Sequence, residues 1–341
     1  MTSRDLVINT LNHEPTVRVP RHWWPLPEIE SSRGDEIAEL ELRFPSDIVP
    51  AELPLPHEKR DKSSPRRDGP LTDAWGCTWQ PSPRGEPADV EHAPLAETSA
   101  IAAYTPPDDL PYGNRQLTEM SRCCAATSRF VLAEAQARPF DRLRLLRGHA
   151  AAIADLRSSA KHLPGLLAML HDFFCREMEA WAETEVDGVV IRDNWGAGGQ
   201  LEVESQVWRD FFKPLYRDYC KILHSKDKFV FFRADGNISK IFGELVRIDV
   251  DAIHARLSVT EIERLAKRYR GRVTFGGGID QRHTLPFGTD EEIRAVVLRM
   301  RRELDFGAGG VIAQCEWGPD VPLRNLVTVF EQWVVPLPMH A

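Results

Sequence analysis

The stretch "DKFVFFRADGNISKIF", residues 227–242, sets an unbroken apolar run, Phe229–Phe232, directly before Arg233, Asp235, Gly236 and Asn237, with a helical pattern after them. A short apolar run bounded by charge reads as a strand buried on both faces. The charges sit where that strand stops. Outward from this unit the pattern recurs. "DGVVIRDN" (187–194) is a strand, and "SQVWRDFFKPLYRDYCKILHSK" (205–226) has apolar positions at helical spacing behind a Ser cap. Strand "KFVFFRAD" precedes helix 238–247, "VDAIHAR" (250–256) precedes helix 259–269, "RVTFGGGI" (272–279) precedes helix 289–304, and "GGVIAQCE" (309–316) precedes helix 322–333. Such alternation predicts parallel βαβ units.

The N-terminal half adds "RVPRHWW" (18–24), "SDIVPAEL" (46–53) and "SRFVLAEA" (128–135) as strands, which makes eight. Eight parallel strands with intervening helices predict an α/β chain forming a TIM (β/α)8 barrel, a single domain over 1–341, with reacting groups at the C-terminal strand ends. A doubly wound sheet is the competing arrangement, but no GxGxxG turn follows the first strand. Residues 54–115 are rich in Pro, Gly and charge, yet "TDAWGCTW" carries aromatics that need burial. This predicts an insertion with a β-hairpin over the barrel mouth, a lid.

With 42% hydrophobic and 28% charged residues, the 341-residue chain has the composition of a soluble globular protein. A net charge of −8 argues against an extended nucleic-acid surface, which needs a basic face. The N-terminus has no apolar signal region and no window approaches 18 apolar residues, so the expectation is a cytoplasmic protein without membrane partners. Six scattered cysteines lack CxxC spacing, the pattern of reduced thiols.

On a barrel, the strand ends bring Asp47, Glu134, Arg192, Asp193, Asn194, Arg233, Asp235, His254, Arg256, Asp280, Cys315 and Glu316 toward one face. Buried charges are costly unless paired, so the cluster predicts a polar cavity with compensating contacts. The glycines of "WGAGGQ" and "FGGGID" serve either close approach to an anion or tight backbone packing. His254 alternates with Ala252 and Arg256. It is either a satisfied core histidine or a catalytic one facing the same side as Arg256. His283 reads as a solvated loop residue. Cys315, beside Glu316, is a small buried hydrophobe or a soft ligand, and Cys123 and Cys124 are structural.

Taken in order, "INTLNHEPTVRVP", "FPSDIVPAE", "TDAWGCTW", "VDGVVIRDNWG", "WRDFFKPLYRDYCKILHSK", "FVFFRADGNI", "RVTFGGGID" with "FGTDEEI", and "GGVIAQCEWGPDVPLRN" resemble the uroporphyrinogen decarboxylase superfamily along nearly the whole chain. That superfamily holds the decarboxylase of haem synthesis and zinc- and corrinoid-using methyltransferases. The resemblance implies a TIM barrel with its cleft at the C-terminal strand ends, and a homodimer. It also implies that Asp47 is the counterpart of an aspartate that binds pyrrole N–H groups. Two departures count against uroporphyrinogen as substrate. The family's "MRQAGR" segment is replaced by "HWWPLPEI", and Trp317 stands near its late "GHG" histidine. The zinc-binding H-x-C motif and final cysteine of the methyltransferases correspond here to Arg233, Asp235 and Cys315. An arginine cannot ligate zinc, although Asp235 and Cys315 could join His254 or Glu316 in an altered site.

The expectation is therefore a decarboxylase-type lyase acting on a carboxylate, without a cofactor. Arg192, Asp193, Asn194, Arg233 and Arg256 would bind substrate, and Asp47, Asp235 and His254 would handle protons or cationic character. The alternatives are a methyltransferase using zinc or a corrinoid, with a corrinoid protein as partner, and a barrel kept as a binding scaffold.

Overall fold

The computed structural model describes residues 1–51, 71–81, 87–110, 113–197, 199–255 and 262–335. Eight parallel strands form the barrel: β1 Arg21–Pro25, β2 Ile48–Pro50, β3 Phe130–Ala135, β4 Gly188–Arg192, β5 Phe229–Arg233, β6 Ala252–His254, β7 Thr274–Gly276 and β8 Val311–Trp317. From β2 to β8 each strand pairs in parallel with the next, and β1 pairs with β8. At the remaining seam the amide of Asp47 donates to the carbonyl of Arg21 at 2.8 Å, joining β2 to β1. Helices alternate with the strands as the sequence predicts, among them α1 Ser3–Leu11, α2 Pro139–Arg147, α3 Leu163–Ala182, α4 Lys213–His224, α5 Ser239–Arg247 and α6 Ile262–Tyr269. A π turn, Trp208–Phe212, leads into α4. Pro214 cannot donate its amide, which loosens the helical ladder there. Among the described residues no helix is long and apolar enough to cross a membrane.

Strand alternation divides the apolar residues between two cores. Val230, Phe232, Val189 and Ile191 face the outer helices, whereas Phe130, Leu132, Val190, Phe231, Ala252 and Ile312 fill the barrel axis. Val7 and Leu11 of α1 join the axial cluster and close the N-terminal end. Each such large apolar side chain contributes about 1.5–3 kcal/mol on burial. The lower half of the barrel is thus a dry plug, and polar chemistry is confined to the other end.

Below the plug, three aspartates repeat one arrangement. Asp47, Asp187 and Asp251 directly precede β2, β4 and β6. Their carboxylates accept the amides of Arg21 at 2.8 Å, Val131 at 2.7 Å and Val230 at 2.7 Å, the strand before in each case. Each is also met by a cation or imidazole: Arg18 on Asp47 at 2.6 and 2.7 Å, Arg4 on Asp187 at 3.1 Å, and His224 Nε2 beside Asp251 at 2.9 Å. Ser3 Oγ completes the shell of Asp47 at 2.6 Å. Before β8 the corresponding residue is Gly310. This corrects the sequence expectation for Asp47. It lies at the N-terminal end of its strand, opposite the cleft, because the strand begins at Ile48 rather than Ser46.

The insertion contains a three-stranded antiparallel sheet, Leu71–Thr72, Thr78–Pro81 and Pro87–His92. Its described contacts are with the helices after β3. Trp75 packs edge-on against Phe173 at 4.7 Å, Arg142 pairs with Asp73, and Arg147 donates to the Ala96 carbonyl at 3.0 Å. The expected strands are present on the barrel's flank. Residues 52–70 and 82–86, on which the lid expectation also rests, lie outside the described residues.

Candidate active site at the C-terminal mouth

The stretch "DKFVFFRADG" forms β5 and its exit loop. Alternation turns Phe229, Phe231 and Arg233 to the axis, and register aligns Arg233 with Arg192 of β4 on one side and His254 of β6 on the other. Next along is Gly276 of β7. A Cβ there would stand 2.1 Å from the His254 ring, so only glycine leaves the imidazole its place. Arg192, Arg233 and His254 therefore share one layer at the top of the barrel. Glu134 of β3 approaches Arg192 at 3.9 Å and takes Arg138 at 2.9 Å. The Arg233 guanidinium forms an ion pair with Glu316 and lies over the Trp24 ring, 4.6 Å from its centroid. Burial, and then the neighbouring Arg192, lowers the Arg233 pKa to about 10, so it stays charged near neutrality. Burial also lowers Arg192, with Asp235 opposing.

His254 faces His22 of β1 across 5.9 Å between ring centroids, and Phe231 meets its ring edge-on at 5.6 Å. Both imidazoles are buried. Neither ring nitrogen of His254, nor Nδ1 of His22, has a hydrogen-bond partner among the described residues. Burial, followed by the positive charge of Arg233, lowers His22 to about 3. Burial, His22 and Arg233 together hold His254 well below the ordinary histidine range. Both rings are neutral near pH 7. A neutral imidazole carries one N–H and one open acceptor, and buried groups of that kind call for a partner. A cavity of ≈ 30 Å³ adjoins the His254 ring, lined by Arg233, Asp235, His254, Gly278, Gln281 and Gln314. That volume is room for water-sized groups.

Other expected site residues serve the fold. Asp193 is fully buried and accepts the Phe140 and Asp141 amides at 2.8 and 2.9 Å, capping α2, together with the Tyr216 hydroxyl at 2.6 Å. Burial, then the Asp141 carboxyl, pushes its pKa up to about 8. Sealed beneath α2, it has no surface to offer a substrate, contrary to expectation. Asn194 donates to Asp141 at 3.1 Å and accepts the Asp235 amide at 3.4 Å, tying the β4 and β5 exit loops together. The glycine-rich turn works as packing. A Cβ on Gly196 would stand 2.4 Å from the Asp235 carbonyl and 2.6 Å from Gly236 Cα. Asp280 accepts the Arg282 amide at 2.9 Å and meets His283 at 3.0 Å, with His283 solvated as expected. Arg256 lies outside the described residues.

Cys315 does not reach the mouth. On β8, Ile312 belongs to the axial core, whereas Val311, Ala313, Cys315 and Trp317 belong to the outer one; Gln314 and Glu316 share the axial face with Ile312. Burial raises the Cys315 thiol well above its usual value. The three positions corresponding to zinc ligands thus hold a guanidinium, a carboxylate at the mouth and a thiol pointed away from both. No cluster of three or more His, Cys, Asp or Glu able to hold a metal ion is found among the described residues. This chain's described side chains do not fit the zinc site that the resemblance implied.

His22, Trp24, Gln281 and Gln314 were not anticipated as site residues. The signal was present for two of them: in "RHWWP" period-2 alternation puts His22 and Trp24 on one face.

Comparison with known proteins places these features. The family profile described as "Uroporphyrinogen decarboxylase (URO-D)" matches residues 71–333. Among solved structures, a methyltransferase from Methanosarcina mazei superposes with a TM-score of 0.68 at 14% identity, covering 98% of each chain. A glycoside hydrolase family 10 endo-β-1,4-xylanase from Gloeophyllum trabeum gives a TM-score of 0.49 at 10% identity, covering 96% of this chain and 99% of that one. No curated protein sequence matches.

Proposed function

The chain belongs to the uroporphyrinogen decarboxylase family, and within it we propose a decarboxylase-type lyase acting by acid/base chemistry on a carboxylate substrate other than uroporphyrinogen. The observation that carries this reading is the in-register trio Arg192, Arg233 and His254 at the mouth. Guanidinium groups match carboxylates bidentately, and two side by side suit a substrate with more than one. Loss of CO2 leaves a carbanion or enamine that must be protonated. The neutral His254 ring, whose nitrogens have no protein partner among the described residues, can relay that proton, passing on its N–H as its other nitrogen takes a proton from water. Asp235, on the cavity wall, stabilises positive charge developing on the substrate. The absence of arginine from "HWWPLPEI" speaks against uroporphyrinogen.

Methyl transfer is the second reading, drawn from the superfamily and from the Methanosarcina neighbour, whose likeness at 14% identity concerns the fold alone. Arg233 at a ligand position and the outward Cys315 weigh against it. A panel of mono-, di- and tricarboxylates assayed for CO2 release, with calorimetry on those that bind, tests the proposal. The paired variant R233Q/E316Q leaves no buried charge unmatched, and it should weaken carboxylate binding about 10- to 100-fold. Unchanged binding, or activity that requires added zinc or methylcobalamin, would overturn the lyase reading.

A further inference from the structure

A cavity much larger than the one at the barrel mouth lies elsewhere among the described residues. A groove of ≈ 700 Å³ lies on the outer flank between α5 and α6, with Gly199–Leu201 as a third wall. Its size is that of a pocket for a medium-sized organic ligand. Five cations line it, Arg209, Lys240, Arg247, Arg264 and Arg268, against one carboxylate, Glu244. In a chain of net charge −8 this is a local reversal of sign.

Glu244 does not neutralise the group. Its carboxylate already takes Lys213 at 2.6 Å, Arg209 at 3.3 Å and Arg247. Burial alone would raise its pKa, but Lys213 and Arg247 bring it down to about 2. Lys240 and Arg268 have no carboxylate partner among the described residues, and the Arg268 guanidinium rests over the Tyr269 ring at 5.3 Å. The floor is of another character. Leu265 and Tyr269 are buried, and Tyr269 lies so close to Gly243 that a Cβ there would meet its hydroxyl at 2.1 Å. Concave walls concentrate the field of such charges, and a surplus of cations over carboxylates favours a bound anion.

We propose that this groove is a second binding site, for an organic anion carrying two or more phosphate or carboxylate groups on an apolar body. Lys240, Arg247 and Arg268 hold the charged groups, while Leu265 and Tyr269 receive the body. The proposal does not depend on the decarboxylase reading, because it shares no residue with the mouth.

Isothermal titration of the full chain with tripolyphosphate, citrate and ADP tests it. At least one probe should bind with one-to-one stoichiometry, more weakly as salt rises. The double variant K240E/R268E should lose about tenfold or more in affinity, whereas R233Q/E316Q at the mouth should leave it unchanged. Preference for tripolyphosphate identifies phosphate as the recognised group, preference for citrate identifies carboxylate, and tighter binding of ADP than of tripolyphosphate shows that the floor contributes. The milder pair K240A/R268A serves if the charge reversal lowers the melting temperature. Three results would overturn the proposal: no probe binding tighter than about 1 mM, tripolyphosphate or ADP binding that survives both groove variants, or tripolyphosphate or ADP binding lost in the mouth variant.

Discussion

The two ends of the barrel use the same residue types to opposite effect. At the N-terminal end Asp47, Asp187 and Asp251 each take the amide of a neighbouring strand and a cation or imidazole. At the C-terminal end Arg192, Arg233 and His254 stand in one layer, the last two line a water-sized cavity, and the nitrogens of His254 are unpartnered among the described residues. A fully satisfied charge is a structural fastening. A buried imidazole whose nitrogens have no partner among the described residues is open to one. The difference lies in what surrounds each group, since Asp and Arg occur at both ends.

Asp47→Ala should give the largest effect, because it strands the Arg21 amide and removes the partner of Arg18 at a side chain only 1% exposed. Stability in urea should fall by about 3–5 kcal/mol, with the variant's folded fraction binding carboxylates normally. Loss of binding with stability intact would erase the contrast between the ends and return Asp47 to the site.

A smaller effect is expected from His22, whose charged and titratable neighbours are Arg233 and His254. Its folded pKa of about 3 lies below the ordinary 6.5, so the unfolded chain binds more protons in acid. The His22 contribution is complete above about pH 6.5 and is lost as pH falls toward 3, with roughly 2 kcal/mol gone at pH 5. Asp193 acts with the opposite sign, because its raised pKa costs stability as pH climbs toward 8. It is common to both proteins and cancels in a comparison. The stability of His22→Gln should therefore vary less steeply than wild type between pH 6.5 and 5. Parallel curves would mean that His22 is not held neutral by the barrel.

The smallest change is predicted for Cys315→Ala: about 1 kcal/mol of stability and no effect on ligand binding, because the thiol faces the helices. Loss of activity or of bound zinc on this substitution would place Cys315 in the site and favour methyl transfer.

Much of the barrel was legible because parallel strands buried on both faces read as apolar runs between helical periods. All eight expected strands are present within a few residues of their ends. The same property hid the orientation of some side chains. In "VIAQCEW" every position but one is buried, so nothing in the string tells which residues face the axis, and Cys315 was read on the wrong side. Asp47 was read at the wrong end because "SDIVP" does not show where pairing begins. Asp193 looked like a strand-end ligand, since the helix that seals it, α2, comes from a segment more than fifty residues earlier.

From the sequence alone came the strand count, the parallel class and the delivery of Arg233 and Asp235 to a strand end, because hydrophobic periodicity and the position of charge are local properties of the chain. Only the tertiary structure decided which charges are already satisfied, since the partners of Asp47, Asp193 and Arg233 lie 23 to 83 residues away and are brought close by strand register and helix packing. That is why "FFRADGNI" showed a charge at a strand end, while the fold showed Arg233 beside Arg192 and His254 at the mouth.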